Sequence, residues 1–330
     1  MQVRFSELVD HRKIPQILIH GNPHVANYCK TERGAAMVDF DRSRIGPYAY
    51  DIARFLVSIS IASETERAFI HPIIIEQFKR GYTTGFTHPE KPFAQMQTLR
   101  NTPPKAWQRD IDRYLEAQRK WAGKLCNFET PTTKRIHTLL NGYLADRGET
   151  LLSELKRIRR HAIVPGSMGK LHYLVLLKEK CEGMQKRLID IKEVYIEEDN
   201  EWYHNPFSHH GDRMNAAGEI YAPGWEIAPG KTQHKGNQFW VRQIPLQQVK
   251  LNQPLDDLSL SDLAYAVGSQ LGRGHCVAAK KGQRQRIWHD FEKRFPLYLE
   301  ASRTMLDDVE KAHQRYCKKA TRSDKTAPTR

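Results

Sequence analysis

Residues 18–56 bring polar side chains to the ends of two short predicted strands. The apolar residues 17–19 are typical of a buried strand, and residues 20–27 form a polar loop that contains Gly and Pro. Residues 35–40 predict a second strand, so the side chains that follow the two strands should converge. They are Asn22, His24, Asn27, Asp39 and Asp41. Because magnesium takes oxygen ligands from carboxylates and carboxamides, the segment predicts a magnesium site.

Helical periodicity dominates the chain on both sides of this segment. Residues 61–160 are predicted to be mainly helical, with one apolar face that ends at Gly81 and Gly85. Ser261 is the predicted N-cap of a later helix, and Pro296 is expected to break the last helical stretch. The predicted helices are residues 50–60, 107–124, 151–160, 259–276 and 287–317.

The pattern changes to strands over residues 161–198. A strand, a Gly-Ser-Met-Gly turn and a second strand of alternating apolar residues precede a third strand that contains Lys192. Backbone N–H groups of such a turn can cover phosphates, and a lysine on the adjacent strand can reach the same phosphates. Without other information, an ordinary hairpin turn and an edge lysine are the favoured interpretation. Residues 238–245 predict a further strand.

The net charge of +14 favours an acidic partner. That partner would be a nucleotide, a nucleic acid or an anionic surface. The alternative is that the charge belongs to a solvated surface and to a basic, disordered tail over residues 317–330. No recognised nucleic-acid-binding module accompanies the charge, so nucleic acid is not the favoured partner.

Composition indicates a polar protein long enough for two lobes. The chain has 330 residues, of which 39% are hydrophobic, and a mean hydropathy of -0.66. No apolar run approaches the ~18 residues that a membrane span needs, and the first residues lack the apolar core of a signal peptide. Five cysteines without a C-x-x-C pair predict reduced thiols and a cytoplasmic location.

The order of motifs in residues 20–54 resembles a known catalytic core. H-G-x-x-H-x-x-N, then D-F-D, then G-P-x-x-x-D-I-A-R is similar to the aminoglycoside phosphotransferase and protein-kinase-like superfamily. The closer resemblance is to the bacterial family known as domain of unknown function 2252. The resemblance implies that Asn27 and Asp39 hold magnesium on nucleotide phosphates and that Asp51 supports the catalytic loop.

One position departs from the family pattern, which has Asp where this chain has Asn22. An amide cannot accept the proton of an attacking hydroxyl, although it can orient the nucleophile. Phosphoryl transfer depends more on positioning and charge neutralisation than on proton removal. His24 and Asp41 are the neighbouring alternatives for orienting the acceptor. We therefore expect a site that binds nucleotide and acts slowly, transfers another group, or is inactive.

A second resemblance lies in the strand region. V-P-G-S-M-G and I-D-I-K-E are similar to the family's G-V-G-S-V-G and L-Q-V-K-E, with Pro165 where the family has a glycine. By that match Gly166, Ser167 and Gly169 form a nucleotide loop, and Lys192 binds phosphate. These elements follow the catalytic loop instead of preceding it, which resembles a circular permutation of the kinase-like order.

Several points stay open at this level. The acidic partner of Lys192 is one of Glu197, Glu198 and Glu219. His275 is interpreted as a satisfied core histidine in preference to a functional one. The resembling family has a longer segment ahead of its catalytic motif, so part of the usual fold is expected to be absent or replaced.

These observations predict an α+β, protein-kinase-like, two-lobed fold in permuted order. The small antiparallel β lobe spans residues 161–250, and the helical large lobe combines residues 1–160 with 251–316. The expected function is an ATP- and magnesium-dependent transferase, phosphoryl or nucleotidyl, with an unknown small-molecule or protein acceptor. The alternative is a pseudokinase-like nucleotide-binding or interaction module, and a structural protein without nucleotide is the third.

Overall fold

Antiparallel strands and helices make up the computed structural model, which describes residues 1–63, 69–100, 110–125, 133–148, 158–165, 170–177, 187–251 and 255–326. The helices are α1 (Gln2–Leu8), α2 (Ala49–Ala62), α3 (Pro72–Thr87), α4 (Gln97–Arg100), α5 (Ile111–Leu125), α6 (Thr133–Asp146), α7 (His210–Tyr221), α8 (Asp257–Ala278) and α9 (Gln283–Thr326). The strands are β1 (Gln16–Ile19), β2 (Tyr28–Thr31), β3 (Gly34–Met37), β4 (Arg44–Pro47), β5 (Ile158–Pro165), β6 (Leu171–Leu177), β7 (Arg187–Glu193), β8 (Ile227–His234), β9 (Asn237–Gln243) and β10 (Gln248–Lys250). The predicted mixture of α and β structure is confirmed. Among the helices of these residues, none has both the length and the apolar character that crossing a membrane requires.

Within the described residues, the largest sheet has five antiparallel strands in the order β5-β6-β7-β9-β8. Alternate residues of each strand point to opposite faces. One face packs against α6, where Tyr173 and Val175 meet Leu140. The other face packs against α5, where Leu174 meets Leu115. Both faces of the sheet are therefore covered in part by helices.

Helices α5 and α6 pack against the five-stranded sheet. The predicted large lobe, residues 1–160, includes both helices, and the predicted small lobe begins at residue 161. The apolar faces of α5 and α6 form two clusters with the sheet. The boundary at residue 160 stays a prediction.

A separate core joins the two ends of the chain through α2, α3, α8 and α9. Gly81 and Gly85 lie inside α3 instead of ending it, because they allow α8 to approach closely. A Cβ atom on Gly81 would lie 2.1 Å from the carbonyl oxygen of Tyr265, and one on Gly85 would lie 2.0 Å from that of Ser269. The glycines therefore set the spacing of the two helices.

Two small sheets carry the loops of interest. β1 pairs with β4, and β2 pairs with both β3 and β10. Only a short connection joins β9 of the five-stranded sheet to β10 of the sheet that contains β2 and β3. A cavity lies between them, and Asp39, Lys192 and Lys250 are among its lining residues.

Other expectations differ from the structure at element ends. Residues 158–160 belong to β5, where a helix was predicted; residues 151–157 lie outside the described part. Asp256, not Ser261, caps α8, and its carboxylate accepts a hydrogen bond from Ser259 N at 2.7 Å. The polar stretch 199–236, which is rich in Gly, Pro, His and Asn, contains α7 and β8.

The last helix is longer than predicted. α9 continues through Pro296, so the break predicted there is not observed. The helix extends to Thr326, so residues 317–326 are helical where a disordered tail was predicted. Phe295 and Tyr298, on either side of the proline, are buried in the core, and this packing holds the helix continuous. Residues 327–330 lie outside the described part.

Candidate active site

The loop after β1 is fixed by the buried carboxylate of Asp51. Asp51, on α2, accepts hydrogen bonds from the backbone N–H groups of His20 at 2.7 Å and Gly21 at 2.8 Å. Gly21 has a φ of 83°, and a Cβ atom there would lie 1.9 Å from the carbonyl oxygen of Arg42. Because one carboxylate accepts both N–H groups, it fixes the backbone of the loop at these two residues. The structure thus gives Asp51 the position that the resemblance implied.

His275 extends this buried network. Its Nε2 lies 3.2 Å from Asp51 Oδ2, and its Nδ1 lies 3.0 Å from the hydroxyl of Tyr82. The side chains of His275 and Asp51 are both fully buried. His275 is therefore a satisfied core histidine, as interpreted, and it also positions the carboxylate that supports the loop.

Asp39 receives two amide hydrogen bonds on one oxygen. Asn27 Nδ2 donates to Asp39 Oδ2 at 3.2 Å, and Asn22 Nδ2 donates to the same atom at 3.4 Å. Asp39 has a φ of 76°, which is unusual for a residue other than glycine. This backbone conformation occurs just after β3 and turns the carboxylate toward the loop that follows β1.

Asn22 is oriented from both sides. Its oxygen accepts a hydrogen bond from Arg54 Nη2 at 3.3 Å, while its nitrogen faces Asp39. A carboxylate at this position would face Asp39 at the same short distance, with like charges opposed. The amide therefore bridges a cation and an anion, a role that needs no proton transfer.

Lys192 of β7 reaches the same place from the five-stranded sheet. It is ion-paired with Asp41, and its Nζ lies 3.6 Å from Asp39 Oδ1. The acidic partner is therefore Asp41 and not one of the three candidate glutamates. Glu197, for example, pairs with Arg42 at 3.2 Å.

The charges of this cluster favour ionised Asp39 and Lys192. Burial raises the pKa of Asp39, but the nearby Lys192 and histidines outweigh burial and hold this pKa below its usual value. Burial lowers the pKa of Lys192, but the carboxylates of Asp41 and Asp39 outweigh it and raise this pKa. Burial, reinforced by the charge of Arg54, lowers the pKa of His24 to about 4, so His24 is neutral at pH 7.

A cavity of about 370 Å³ opens beside Asp39 and Lys192. Its sheet wall has ordered rows, because strand register places side chains next to one another on one face. The first row is Val164, His172, Lys192 and Trp240, and the second contains Leu174, Asp190 and Arg242. Charged residues thus lie within strands that are otherwise apolar.

The second row belongs to a buried network of charges. His172 Nδ1 lies 3.4 Å from Asp190 Oδ1, Arg242 Nε lies 3.8 Å from Asp190 Oδ2, and Arg242 Nη1 donates to both oxygens of Glu226 at 2.9 Å. Within the described structure, His172 Nε2, Arg242 Nε and Asp41 Oδ1 are buried without a hydrogen-bond partner. Such atoms are the ones that a polar ligand or an ordered water satisfies.

The donor set beside Asp39 fits a hard cation. The Asn27 nitrogen donates to Asn22 O and to Asp39, so the amide oxygen of Asn27 is oriented away from both, and Asn27 and Asp39 both line the cavity. Magnesium is commonly held by one or two protein oxygens, with phosphate and water completing its shell. Across the described ranges, no group of three or more His, Cys, Asp or Glu side chains is arranged to hold a metal ion.

The structure brings together most of the predicted site residues. Asn22, Asn27, Asp39, Asp41 and Lys192 form one contact network. His24 lies beside it, at the start of the turn that leads to Asn27, and does not line the cavity. Of the predicted loop, Gly166, Ser167 and Gly169 lie outside the described residues.

Sequence reasoning missed the polar wall of the cavity. His172, Asp190 and Arg242 each stand two residues from another lining residue of the same strand, respectively Leu174, Lys192 and Trp240. Spacing of two is the strand period, so a polar side chain at that distance from a candidate site residue shares its face. Asp190 could have been found from Lys192 by this rule.

Two protein-family models match the chain, each over a different part. The family model described as "Phosphotransferase enzyme family" matches residues 4–90, which include the Asp39 loop. The family model described as "Uncharacterized protein conserved in bacteria (DUF2252)" matches residues 90–319, which include the five-stranded sheet and Lys192. No curated protein and no solved structure matches the chain. Since the second match covers more than half of its length, the chain belongs to the DUF2252 family of uncharacterized bacterial proteins.

Proposed function

We propose that this protein is a kinase-like transferase that uses ATP and magnesium. The match to a phosphotransferase family supports the reaction class. The observation that carries the proposal is the meeting of Lys192 with Asp39 and Asp41 at one cavity, although the residues come from distant parts of the chain. A cation site and a phosphate-binding lysine at one cavity are the two features that phosphoryl transfer needs most.

In this proposal the two parts of the structure are the lobes of a permuted kinase-like fold. The small lobe is the five-stranded sheet with α5 and α6, and the large lobe is built from residues 1–100 and from α8 and α9. The order of elements supports the permutation, since the Asp39 loop precedes the strand that carries Lys192.

In this proposal each residue of the network around Asp39 and Lys192 has its own role. Asn27 and Asp39 would hold the magnesium ion, which neutralises phosphate charge when bound. Lys192 places its ammonium on the phosphates, and Asp41 positions Lys192. Asp51 fixes the loop that carries Asn22, and the Asn22 amide holds Asp39 in its orientation. The acceptor hydroxyl enters at the cavity side of Asp39.

The second candidate is a nucleotide-binding module without efficient transfer. The geometry of Asn22 favours it, because the amide oxygen is already used by Arg54 and the residue offers no group that accepts a proton. The same cavity and the same ligand serve both candidates, so binding and turnover separate them.

Thermal unfolding with and without MgATP tests the proposal. We expect wild type to gain roughly 5 °C at a ligand concentration about 100-fold above Kd. Asp39→Ala and Lys192→Ala should abolish the gain. Lys231→Ala is the matched control, because Lys231 is an ion-paired lysine of the same sheet that does not line the cavity.

Turnover is measured as ADP or AMP formed with water as the acceptor. No shift in wild type would reject both candidates. A shift with ADP or AMP formation that Asp39→Ala abolishes supports the transferase, and a shift without product supports the binding module.

A further inference from the structure

The cavity beside Lys192 is lined by two chemically different sets of side chains. Asn27, Asp39 and Lys192 carry polar groups that suit a cation and phosphates. Val164, Leu174 and Ile244 are apolar and come from different rows of the sheet wall, in which Val164 shares the row of Lys192. These three side chains are largely buried and belong to the apolar cluster beneath α5.

Helix α5 contributes three lining residues to this cavity. Ile111 and Leu115 are buried against the sheet and fix the helix in place. Tyr114, Gln118 and Trp121 follow at spacings of four and three, so they share one face, and all three line the cavity. A helix with an apolar contact face therefore presents an aromatic and amide face to the cavity.

Trp121 is unusual for its exposure. Its surface is 45% exposed, although it is a large aromatic residue that lines a cavity. Tryptophan is normally well buried in a folded protein. Exposed aromatic faces next to cationic side chains are the surfaces on which nucleobases stack.

We propose that the α5 side of the cavity binds the heteroaromatic base of a nucleotide, which Trp121 stacks against and Gln118 contacts at its polar edge. The inference rests on the proposed function, because a nucleotide whose phosphates lie beside Lys192 leaves its base to the rest of the same cavity, which α5 lines. The volume of about 370 Å³ is in the range of small-ligand sites. Trp121 then distinguishes a nucleotide from a bare polyphosphate.

The experiment compares MgATP with magnesium tripolyphosphate, which lacks base and sugar. Calorimetric titration gives Kd for each ligand with wild type, Trp121→Ala and Trp121→Phe. We expect Trp121→Ala to weaken MgATP binding about tenfold, because a stacked base loses its partner, and to change tripolyphosphate binding less than about twofold. Trp121→Phe should keep most of the affinity, since a smaller ring still stacks.

Lys120→Ala is the control variant, because Lys120 is an exposed α5 residue that does not line the cavity. Thermal unfolding without ligand verifies that each variant is folded. Equal Kd values for the two ligands in wild type, or equal weakening of both in Trp121→Ala, would overturn the base subsite and leave the phosphate site intact. Binding of neither ligand by wild type would reject the proposed function together with this inference.

Discussion

Lys192 on β7 and Asp41 after β3 lie 151 positions apart in the sequence and form an ion pair at the edge of the cavity. Their side chains are only 15% and 16% exposed. In protein kinases the phosphate-binding lysine pairs with a glutamate on a helix. Here its partner belongs to the same D-F-D segment as Asp39, so one short segment supplies the predicted cation ligand and positions the lysine.

The Lys192–Asp41 pair should stabilise the fold through mutual neutralisation. Removing one partner leaves the other charge largely buried, so Asp41→Asn and Lys192→Met should each lower the free energy of unfolding by about 2 kcal/mol. The double variant should lose clearly less than the sum, because neither Lys192 nor Asp41 is then left buried without its partner. Urea unfolding of the three variants measures this coupling.

A more exposed pair of the same sheet serves as the control. Lys170 and Glu193 are 3.3 Å apart, and Lys170 is 33% exposed. Breaking this pair should cost at most about 1 kcal/mol, since water screens it. Additive losses for Lys192 and Asp41 would show that the two charges are not coupled in solution.

Asn22→Asp should increase turnover if the site is a decayed transferase. The new carboxylate could accept the proton of an attacking hydroxyl, which the amide cannot do. General-base catalysis typically contributes ~100-fold or more, so an increase of at least tenfold in ADP or AMP formation is expected. The Arg54 guanidinium, 3.3 Å from the Asn22 oxygen, offsets the repulsion from Asp39.

Asn22→Ala is the matched control for that substitution. It removes the hydrogen bonds to Arg54 and Asp39 without supplying a base, so turnover should fall or stay unchanged. A similar increase in both variants would mean that the amide obstructs the acceptor, and proton transfer would not be the reason for the change.

The first half of the site was predictable because it depends on local chain geometry. Asp39 and Asp41 follow β3, and Asn27 comes directly before β2, the strand that pairs with β3, so these side chains lie at one end of the same hairpin. The spacing of D-F-D also indicates that two carboxylates share a side. The contact between Asp51 and His275 could not be predicted without the fold, since it joins α2 to α8.

The rest of the site depends on pairings that sequence periodicity does not contain. Lys192 could have paired with any nearby glutamate, and the choice of Asp41 results from how the large sheet lies against β3. Gly81 is a similar case: glycine ends helices as often as it allows close helix contact, and only the position of α8 decides. The covering of the sheet by α5, which creates the Trp121 face, is likewise a tertiary property.

Asp51→Asn should destabilise both the fold and the loop after β1. Asp51 is fully buried and accepts two backbone hydrogen bonds together with a contact from His275. Charge-assisted hydrogen bonds contribute roughly 1.5–3 kcal/mol each, so the amide should lower the free energy of unfolding by about 3 kcal/mol. Hydrogen exchange of the His20 and Gly21 amides measures the local effect.

His275→Gln distinguishes an effect on global stability from an effect on the loop after β1. Glutamine can still donate to Asp51, so amide exchange at His20 and Gly21 should stay slow even where the global stability falls from the lost packing of the ring. Fast exchange in Asp51→Asn with slow exchange in His275→Gln is the expected pattern. Equal exchange rates in both variants would contradict a specific role for the carboxylate.

Stability should decrease as the pH is lowered from about 6.5 toward 4 because two partly buried histidines resist protonation. Burial lowers the pKa of His24 and that of His210 to about 4, from the ordinary 6.5. Over this range the unfolded chain binds a proton that the folded state does not, so the contribution is fully present above pH 6.5 and is lost as the pH falls toward 4. Allowing for partial exposure, each histidine should account for roughly 1–2 kcal/mol.

Substitution of these histidines should flatten the acid side of the stability curve. His24→Gln and His210→Gln each remove one titrating group, so the free energy of unfolding between pH 6.5 and 4 should vary less in each variant than in wild type. His313→Gln, which changes an exposed residue on α9, should leave the slope unchanged. Urea unfolding at four or five pH values gives the slopes. If the wild-type slope persists in both His24→Gln and His210→Gln, the acid sensitivity comes from other groups.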